Sequence, residues 1–295
     1  MSTPIEANFH THTTFCDGHN SAEEMVVAAI NKGFTTLGFS AHAIWPFAKS
    51  WHMKPENYKA YIEEINRLKL KYEDKITIYL GFEADYFAAK FINDELSHPS
   101  IPDKATYSQF NPDFIIGSVH YLTTGKGYFT VDSTADKVKA NLINLYGDLN
   151  NFDSVNGKKA VCDYFDAQIH MLKKGDIDIL GHPDLIRIRN SELHFFDEAE
   201  GWYKKEIARF AKEIAKSKVI VEINTGGIAR GNMKDTYPSL EFLSILNTLN
   251  VPVCINSDAH TTDNLDAAFD YAVKQALDAG YKELTYPKGI KIQLR

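Results

Sequence analysis

Cysteine is scarce: the 295 residues hold three, Cys16, Cys162 and Cys254, and no two form a Cys-x-x-Cys pair. An odd and sparse set excludes a disulfide framework and fits a reducing compartment, so all three are read as buried thiols. Long apolar runs are missing as well. Stretches such as Phe114 to Val119 and Val251 to Ile255 fall far below the ~18 to 20 residues of a membrane helix. Met1 to Asn8 lacks the basic start, apolar stretch and small-residue cleavage site of a secretory signal, so the chain is expected to stay in the cytoplasm. Positive charge is in deficit: 32 Lys and Arg against 39 Asp and Glu leave a formal net charge of −7. That balance argues against nucleic acid as a general partner. Low-complexity tracts, internal repeats and linkers rich in Gly, Ser or Pro are also absent, which leaves one compact domain over residues 1–295. There is no Gly-x-Ser-x-Gly elbow for a serine nucleophile and no Walker-type phosphate loop, so acyl transfer and nucleotide chemistry lack their usual signatures.

What is present is an alternation of brief apolar runs with longer amphipathic stretches, the pattern of repeated β/α units around a parallel sheet. Strands are expected at Ile5 to Phe9, Thr36 to Phe39, Ile76 to Gly81, Phe114 to Ser118, Ile177 to Leu180, Val219 to Ile223 and Pro252 to Asn256. Helices are expected at Asn20 to Lys32, Pro55 to Tyr72, Thr134 to Leu149, Lys158 to Lys174, Glu200 to Lys216, Ser239 to Leu249 and Asn264 to Ala279. Ser21 and Glu24 are spaced as a capping box, with Gly33 as the stop. Ile290 to Leu294 reads as a last short strand. Seven such units make an α/β fold, a barrel of β/α type, for which a chain of this length is suited.

On this map the histidines and acids gather at the C-terminal ends of the strands, the active face of such a barrel. His10-Thr11-His12 alternates on an extended segment, so both imidazoles can face one metal, and Asp17-Gly18 can turn a third ligand back toward them. His19 in the same loop is a weaker choice than Asp17. His42 follows the second strand and taken singly is as well explained as a loop histidine. Glu83 sits in an apolar run, where a cation or hydrogen bonds must offset its charge, and a bridging metal ligand is the preferred reading. Asp85, two residues on, is read as a neighbour on the same side and not as a ligand. His120 and His182 each follow a strand and a small residue, and Ser257-Asp258-Ala259-His260 again alternates an acid with an imidazole. His52, His98, His170 and His194 stand away from strand ends and receive no role. Imidazole with carboxylate suits Zn, Mn or Fe, and nine ligands (His10, His12, Asp17, His42, Glu83, His120, His182, Asp258 and His260) exceed the capacity of one ion. Two or three divalent metal ions are therefore expected. Such a cluster supplies hydroxide near neutral pH and neutralises a phosphoryl group.

Taken together, His10-Thr11-His12 with Asp17-Gly18, then His42, Glu83, His120, Gly181-His182-Pro183-Asp184, Glu222-Ile223-Asn224-Thr225 and Asp258-Ala259-His260 resemble the polymerase and histidinol phosphatase (PHP) family. The resemblance implies a distorted seven-unit TIM-like barrel with a trinuclear metal site. By it, His10, His12, Glu83 and Asp258 would hold one ion, Glu83, His120 and His182 a second, and Asp17, His42 and His260 a third. Glu83 would bridge, a hydroxide between two ions would attack phosphorus, and Asp258 or His260 would assist proton transfer. Within the family, Phe15-Cys16-Asp17-Gly18 and Glu222-Ile223-Asn224-Thr225-Gly226-Gly227 look like histidinol-phosphate phosphatases of histidine biosynthesis. The implied activity is hydrolysis of L-histidinol phosphate, a small phosphorylated metabolite. A phosphate dianion also needs cations from the protein, for which Arg230, and then Arg187 and Arg189, lie after the right strands. Two departures bear on the substrate: Ala41 stands at a position often acidic in the family, and Gly226 to Arg230 is an unusual form of the substrate loop. Another small phosphomonoester, a nucleotide end, a deaminase or amidase reaction on a related barrel, and a non-catalytic metal-binding regulatory module are the competing readings.

Overall fold

The structure, a computed structural model, describes residues 3–43, 50–87, 101–147 and 152–295. His98 lies outside the described residues. The strands in chain order are β1 (Ala7–Asn8), β2 (Thr36–His42), β3 (Thr77–Asp85), β4 (Phe114–Ser118), β5 (Tyr121–Thr124), β6 (Gly127–Thr130), β7 (Ile179–Leu180), β8 (Ile220–Asn224), β9 (Val253–Asn256), β10 (Glu283–Thr285) and β11 (Lys291–Gln293). The helices are α1 (Ala22–Asn31), α2 (Tyr58–Lys71), α3 (Lys104–Tyr107), α4 (Ala135–Tyr146), α5 (Gly157–Lys174), α6 (Asn190–Leu193), α7 (Gly201–Ser217), α8 (Gly226–Ala229), α9 (Leu240–Thr248) and α10 (Phe269–Asp278).

Seven strands form one parallel sheet in the order β1-β2-β3-β4-β7-β8-β9. The sheet curls until its edges meet. Just past β1 and β9 a parallel bridge joins Thr11 to Ala259, with the His12 N–H donating to the Ala259 carbonyl at 2.8 Å and the Ala259 N–H to the His10 carbonyl at 3.2 Å. The result is the distorted seven-unit barrel expected from the sequence. Helix α1 starts where the capping box placed it: Ser21 Oγ accepts from the Glu24 N–H and the Glu24 carboxylate accepts from the Ser21 N–H. It stops at Gly33, whose φ of 85° favours glycine.

Strand alternation decides what faces the centre. In β3, Phe82 packs outward against Tyr58, Tyr61 and Tyr107 beneath the helices, while Glu83 and Asp85 turn to the barrel mouth. Below them Phe9 and Phe114 meet edge to face at 5.0 Å, and Tyr79 and Tyr286 stack on Phe9. An apolar plug thus closes one end and leaves the other to polar groups. Beyond the expected elements, β5 and β6 form an antiparallel hairpin after β4, while β11, the last short strand expected at Ile290 to Leu294, pairs with an unexpected β10 in a second one. The strands β2 and β3 run further than expected, so His42 ends β2 and Glu83 lies inside β3.

Candidate metal centre

Glu83 is the hub of the mouth. Its Oε2 lies 3.1 Å from His10 Nε2, 3.5 Å from His12 Nε2 and 3.1 Å from His42 Nδ1. Its Oε1 lies 3.0 Å from His182 Nε2 and 3.6 Å from His120 Nε2. Asp258 Oδ1 completes one side, 3.3 Å from His12 Nε2 and 3.6 Å from His10 Nε2. Further out, Asp17 faces His260 Nε2 at 3.4 Å and His42 Nε2 at 3.8 Å. The ligating atoms fall into overlapping groups: His10, His12 and Glu83; His10, His182 and Asp258; Glu83, His120 and His182; and His12, Asp17, His42 and His260. All nine residues singled out from the sequence are brought together. Asp17 belongs to one of these groups; His19 lines the cavity above them and belongs to none.

The donor set fits divalent cations on its own terms. His10 Nε2, His12 Nε2, His42 Nδ1, Glu83 Oε2 and Asp17 Oδ1 are buried without a hydrogen-bond partner, and polar atoms left so are costly unless a ligand satisfies them. Burial alone would raise the Glu83 carboxyl, but the imidazoles of His10, His42 and His120 hold it well below the usual range. Burial pushes the His12 imidazole down to about 3, helped by His260 and His42, so it is neutral and ready to ligate. Burial would lower His120 too, yet Asp85 and Glu83 raise it to about 10.

The backbone is bent to present these groups. Asp258 has φ 52° and His182 φ 20°, and non-glycine residues in this region cluster at functional sites. In the 13–18 turn a Cβ at Gly18 would sit 2.4 Å from the Thr13 nitrogen, so only glycine lets the loop fold back to offer Asp17. At Gly226 a Cβ would come within 3.0 Å of Arg230, Asn224 and Asp258 side-chain atoms.

A second layer holds the first. Glu222, fully buried, accepts from His10 Nδ1 at 2.7 Å, Asn256 Nδ2 at 3.0 Å, Asn224 Nδ2 at 2.8 Å and the His182 N–H at 3.0 Å. With its Nδ1 thus occupied, His10 turns Nε2 to the centre, the arrangement typical of metal-bound histidines. Asp85 does the same for His120 Nδ1. The sequence placed Glu222 at a strand end and Asp85 beside Glu83, but only the fold shows which imidazole each one takes.

The centre floors a cavity of about 470 Å³, whose walls include Trp51, Thr130, Asp132, Ile188, Arg230 and Asn232. Arg230 donates to the Asp258 carbonyl at 3.1 Å and to Asp258 Oδ2 at 2.9 Å, with its side chain one-third exposed. The other two arginines point elsewhere and neither lines this cavity. Arg187 is buried and bonded to Asp184, Glu198, Asp235 and the Thr236 carbonyl. Arg189 ties the Asp132 and Ser133 carbonyls to Asn232 and Glu192, which braces the cavity rim from behind.

Known proteins share this architecture. A Deinococcus radiodurans protein named "Probable histidinol-phosphatase" is 28% identical over 290 residues, covering 94% of this chain and 95% of its own. A solved structure from Listeria monocytogenes, likewise named for a histidinol phosphatase, superposes with a TM-score of 0.75 at 21% identity, over 90% of this chain and 99% of its own. Histidinol phosphate phosphatase from Lactococcus lactis, solved with zinc, L-histidinol and phosphate, gives 0.67 at 19% identity over 98% of both chains. At such identities the two structures speak for the fold. The PHP domain model matches residues 8–226, a span running from the first histidine pair through Glu222, and this chain belongs to the PHP domain family.

Proposed function

We propose that this protein is a metal-dependent phosphoric monoester hydrolase that converts L-histidinol phosphate to L-histidinol and phosphate, a step of histidine biosynthesis carried out in the cytoplasm. The observation that carries the reading is the gathering of Glu83 and eight further candidate ligands at one mouth, opening into a metabolite-sized cavity with Arg230 on its wall. The near full-length likeness to the D. radiodurans protein named as a probable histidinol-phosphatase supports the choice of substrate. Among the described residues no helix is long and apolar enough to cross a membrane, and the three cysteines are free thiols.

His10, His12, Glu83 and Asp258 would hold one ion, Glu83, His120 and His182 a second, and Asp17, His42 and His260 a third; zinc, manganese and iron(II) all suit these donors. Bound there, such ions supply Lewis acidity and a nucleophile at neutral pH. Arg230 would orient the phosphoryl group: two of its N–H groups are fixed on Asp258, and the residue lines the cavity, where its remaining donors would meet phosphate oxygens. The leaving alkoxide needs a proton. His260 is poorly placed to give one, because its Nδ1 lies 3.0 Å from the Asp258 carbonyl and its Nε2 faces Asp17. Asp258 holds no proton to begin with: burial would raise its carboxyl, but Arg230 on its Oδ2 and the nearby His10 keep it well below its usual range. As an ionised carboxylate at the cavity wall it would accept the proton of the attacking water and pass it to the leaving oxygen.

The test is phosphate release from L-histidinol phosphate by protein reconstituted with Mn²⁺ or Zn²⁺, beside a panel of other phosphomonoesters and a His120→Ala control. Selective release that the control abolishes is the expected result. Release from other esters only would discard the substrate, and no release from any ester by metal-replete protein would discard the phosphatase.

A further inference from the structure

His52 lies outside every strand end, yet the fold buries it beside the metal centre. Its side chain is 1% exposed and its Nε2 lies 2.9 Å from Asp85 Oδ2, while Asp85 Oδ1 is taken by His120 Nδ1. A carboxylate accepts hydrogen bonds, and each oxygen of Asp85 faces one imidazole nitrogen, His52 Nε2 on Oδ2 and His120 Nδ1 on Oδ1. Both imidazoles therefore donate to it. The proton of His120 is thereby fixed on Nδ1 and the bare Nε2 turned toward Glu83 Oε1, 3.6 Å away, within the group made by Glu83, His120 and His182.

We propose that His52 is a positioning residue of the metal centre, acting through Asp85 to hold His120 Nε2 in its ligating direction. One oxygen of Asp85 would otherwise be free to swing and carry the His120 ring with it. With Asp85 and His120 also shut from water, these hydrogen bonds meet little competition from solvent. The segment carrying His52 is itself anchored on another ligand, through the Met53 N–H donating to the His42 carbonyl at 3.1 Å. The neighbouring Trp51 ring lies 5.2 Å from His52, stacks near Tyr121 at 6.1 Å and lines the catalytic cavity. Three consecutive residues thus shape the substrate wall and brace a ligand together. His10 receives the equivalent support from Glu222, whose oxygens are fixed by the Asn224 and Asn256 amides. At His120 a histidine does that work.

The inference rests on the metal-centre reading, and the experiment separates the two. Full-length wild type, His52→Leu, His52→Gln, Asp85→Asn and the His52→Leu, Asp85→Asn double variant are stripped with a chelator. Each is titrated with Zn²⁺ against a chromophoric competitor, with occupancy read by mass spectrometry. Loss of such an outer partner costs about 10- to 100-fold in metal affinity, and that weakening is expected at one site in His52→Leu. His52→Gln, whose amide N–H can reach the same oxygen, stays close to wild type. In the Asp85→Asn background His52→Leu adds no further loss, as a residue acting through Asp85 requires. Unchanged zinc affinity in His52→Leu, or equal loss in the Leu and Gln variants, overturns the proposal. If His52→Leu fails to fold by circular dichroism, Asp85→Asn decides: weakened zinc binding supports the proposal and unchanged binding overturns it. A wild type that takes up no zinc removes the metal-centre reading itself.

Discussion

At Glu83 one carboxylate faces five imidazole nitrogens within 3.6 Å, so its charge is shared by more than one ligand group. Glu83→Gln is expected to empty those groups together, with a loss of bound metal greater than the about 10- to 100-fold affinity cost of an outer-layer change. Metal analysis of the purified variant beside His12→Ala checks this; equal metal content in the two would refute it. The arginines separate by direction. Arg230→Ala should leave folding unchanged and lower kcat by about 10²- to 10³-fold, the usual cost of a lost oxyanion donor. Arg187→Ala strands Asp184, Glu198 and Asp235 around a buried gap, and removing one partner of a buried pair costs about 3–5 kcal/mol. Urea unfolding of the two variants should therefore show a shifted midpoint for Arg187→Ala alone. Sequence placed all three arginines after the right strands but could not say which way they point, since direction is set by partners such as Asp235 that lie dozens of residues away. His52, a loop residue, gave no signal for the same reason: its partner Asp85 sits on β3, 33 residues away.

Among the elements, the barrel strands and their helices were legible because each carries its own period and punctuation. Ser21 with Glu24, Gly33, and the Phe114 to Ser118 run all formed as read. The β5–β6 hairpin was not anticipated, although Thr124-Gly125-Lys126-Gly127 between aromatic-bearing runs is a turn signal; its two four-residue strands lie outside the β/α period. The loop ahead of α1 offers a sharper test of local design. Gly18→Ala puts a Cβ against the Thr13 backbone, which cannot yield as a flexible side chain would, so the turn must open and carry Asp17 away from His42 and His260. The expected outcome is loss of one equivalent of metal with the groups around Glu83 still filled. Full occupancy in this variant, counted by native mass spectrometry, would show that the turn tolerates the change.

For the molecule as a whole, metal and protons compete for one set of ligands. Burial would lower His10, but Glu222, Glu83 and Asp258 raise it well above its ordinary value, and His120 rises to about 10. Metal uptake at neutral pH must then release protons, and affinity should climb with pH; calorimetry in buffers of different ionisation heat measures the number released. A raised histidine gives stability that is complete below its unfolded pKa of about 6.5 and is lost as pH rises through its folded value. Chelator-treated protein should accordingly lose stability between about pH 7 and 10, whereas loaded protein, whose imidazoles are already neutral, should not. Thermal melts across that window distinguish the two, and parallel curves would count against the assignment. The seam between Thr11 and Ala259 has a consequence for how the protein is born. Candidate ligands from the first barrel strand and from just beyond the last one meet across it, so a chain still emerging from the ribosome lacks Asp258 and His260 until the last barrel strand has been made. Contacts of such sequence separation form late and slowly. Metallation of such a centre would follow the closing of that seam, and an ion held there would fasten the first barrel strand to the last as a non-covalent clasp.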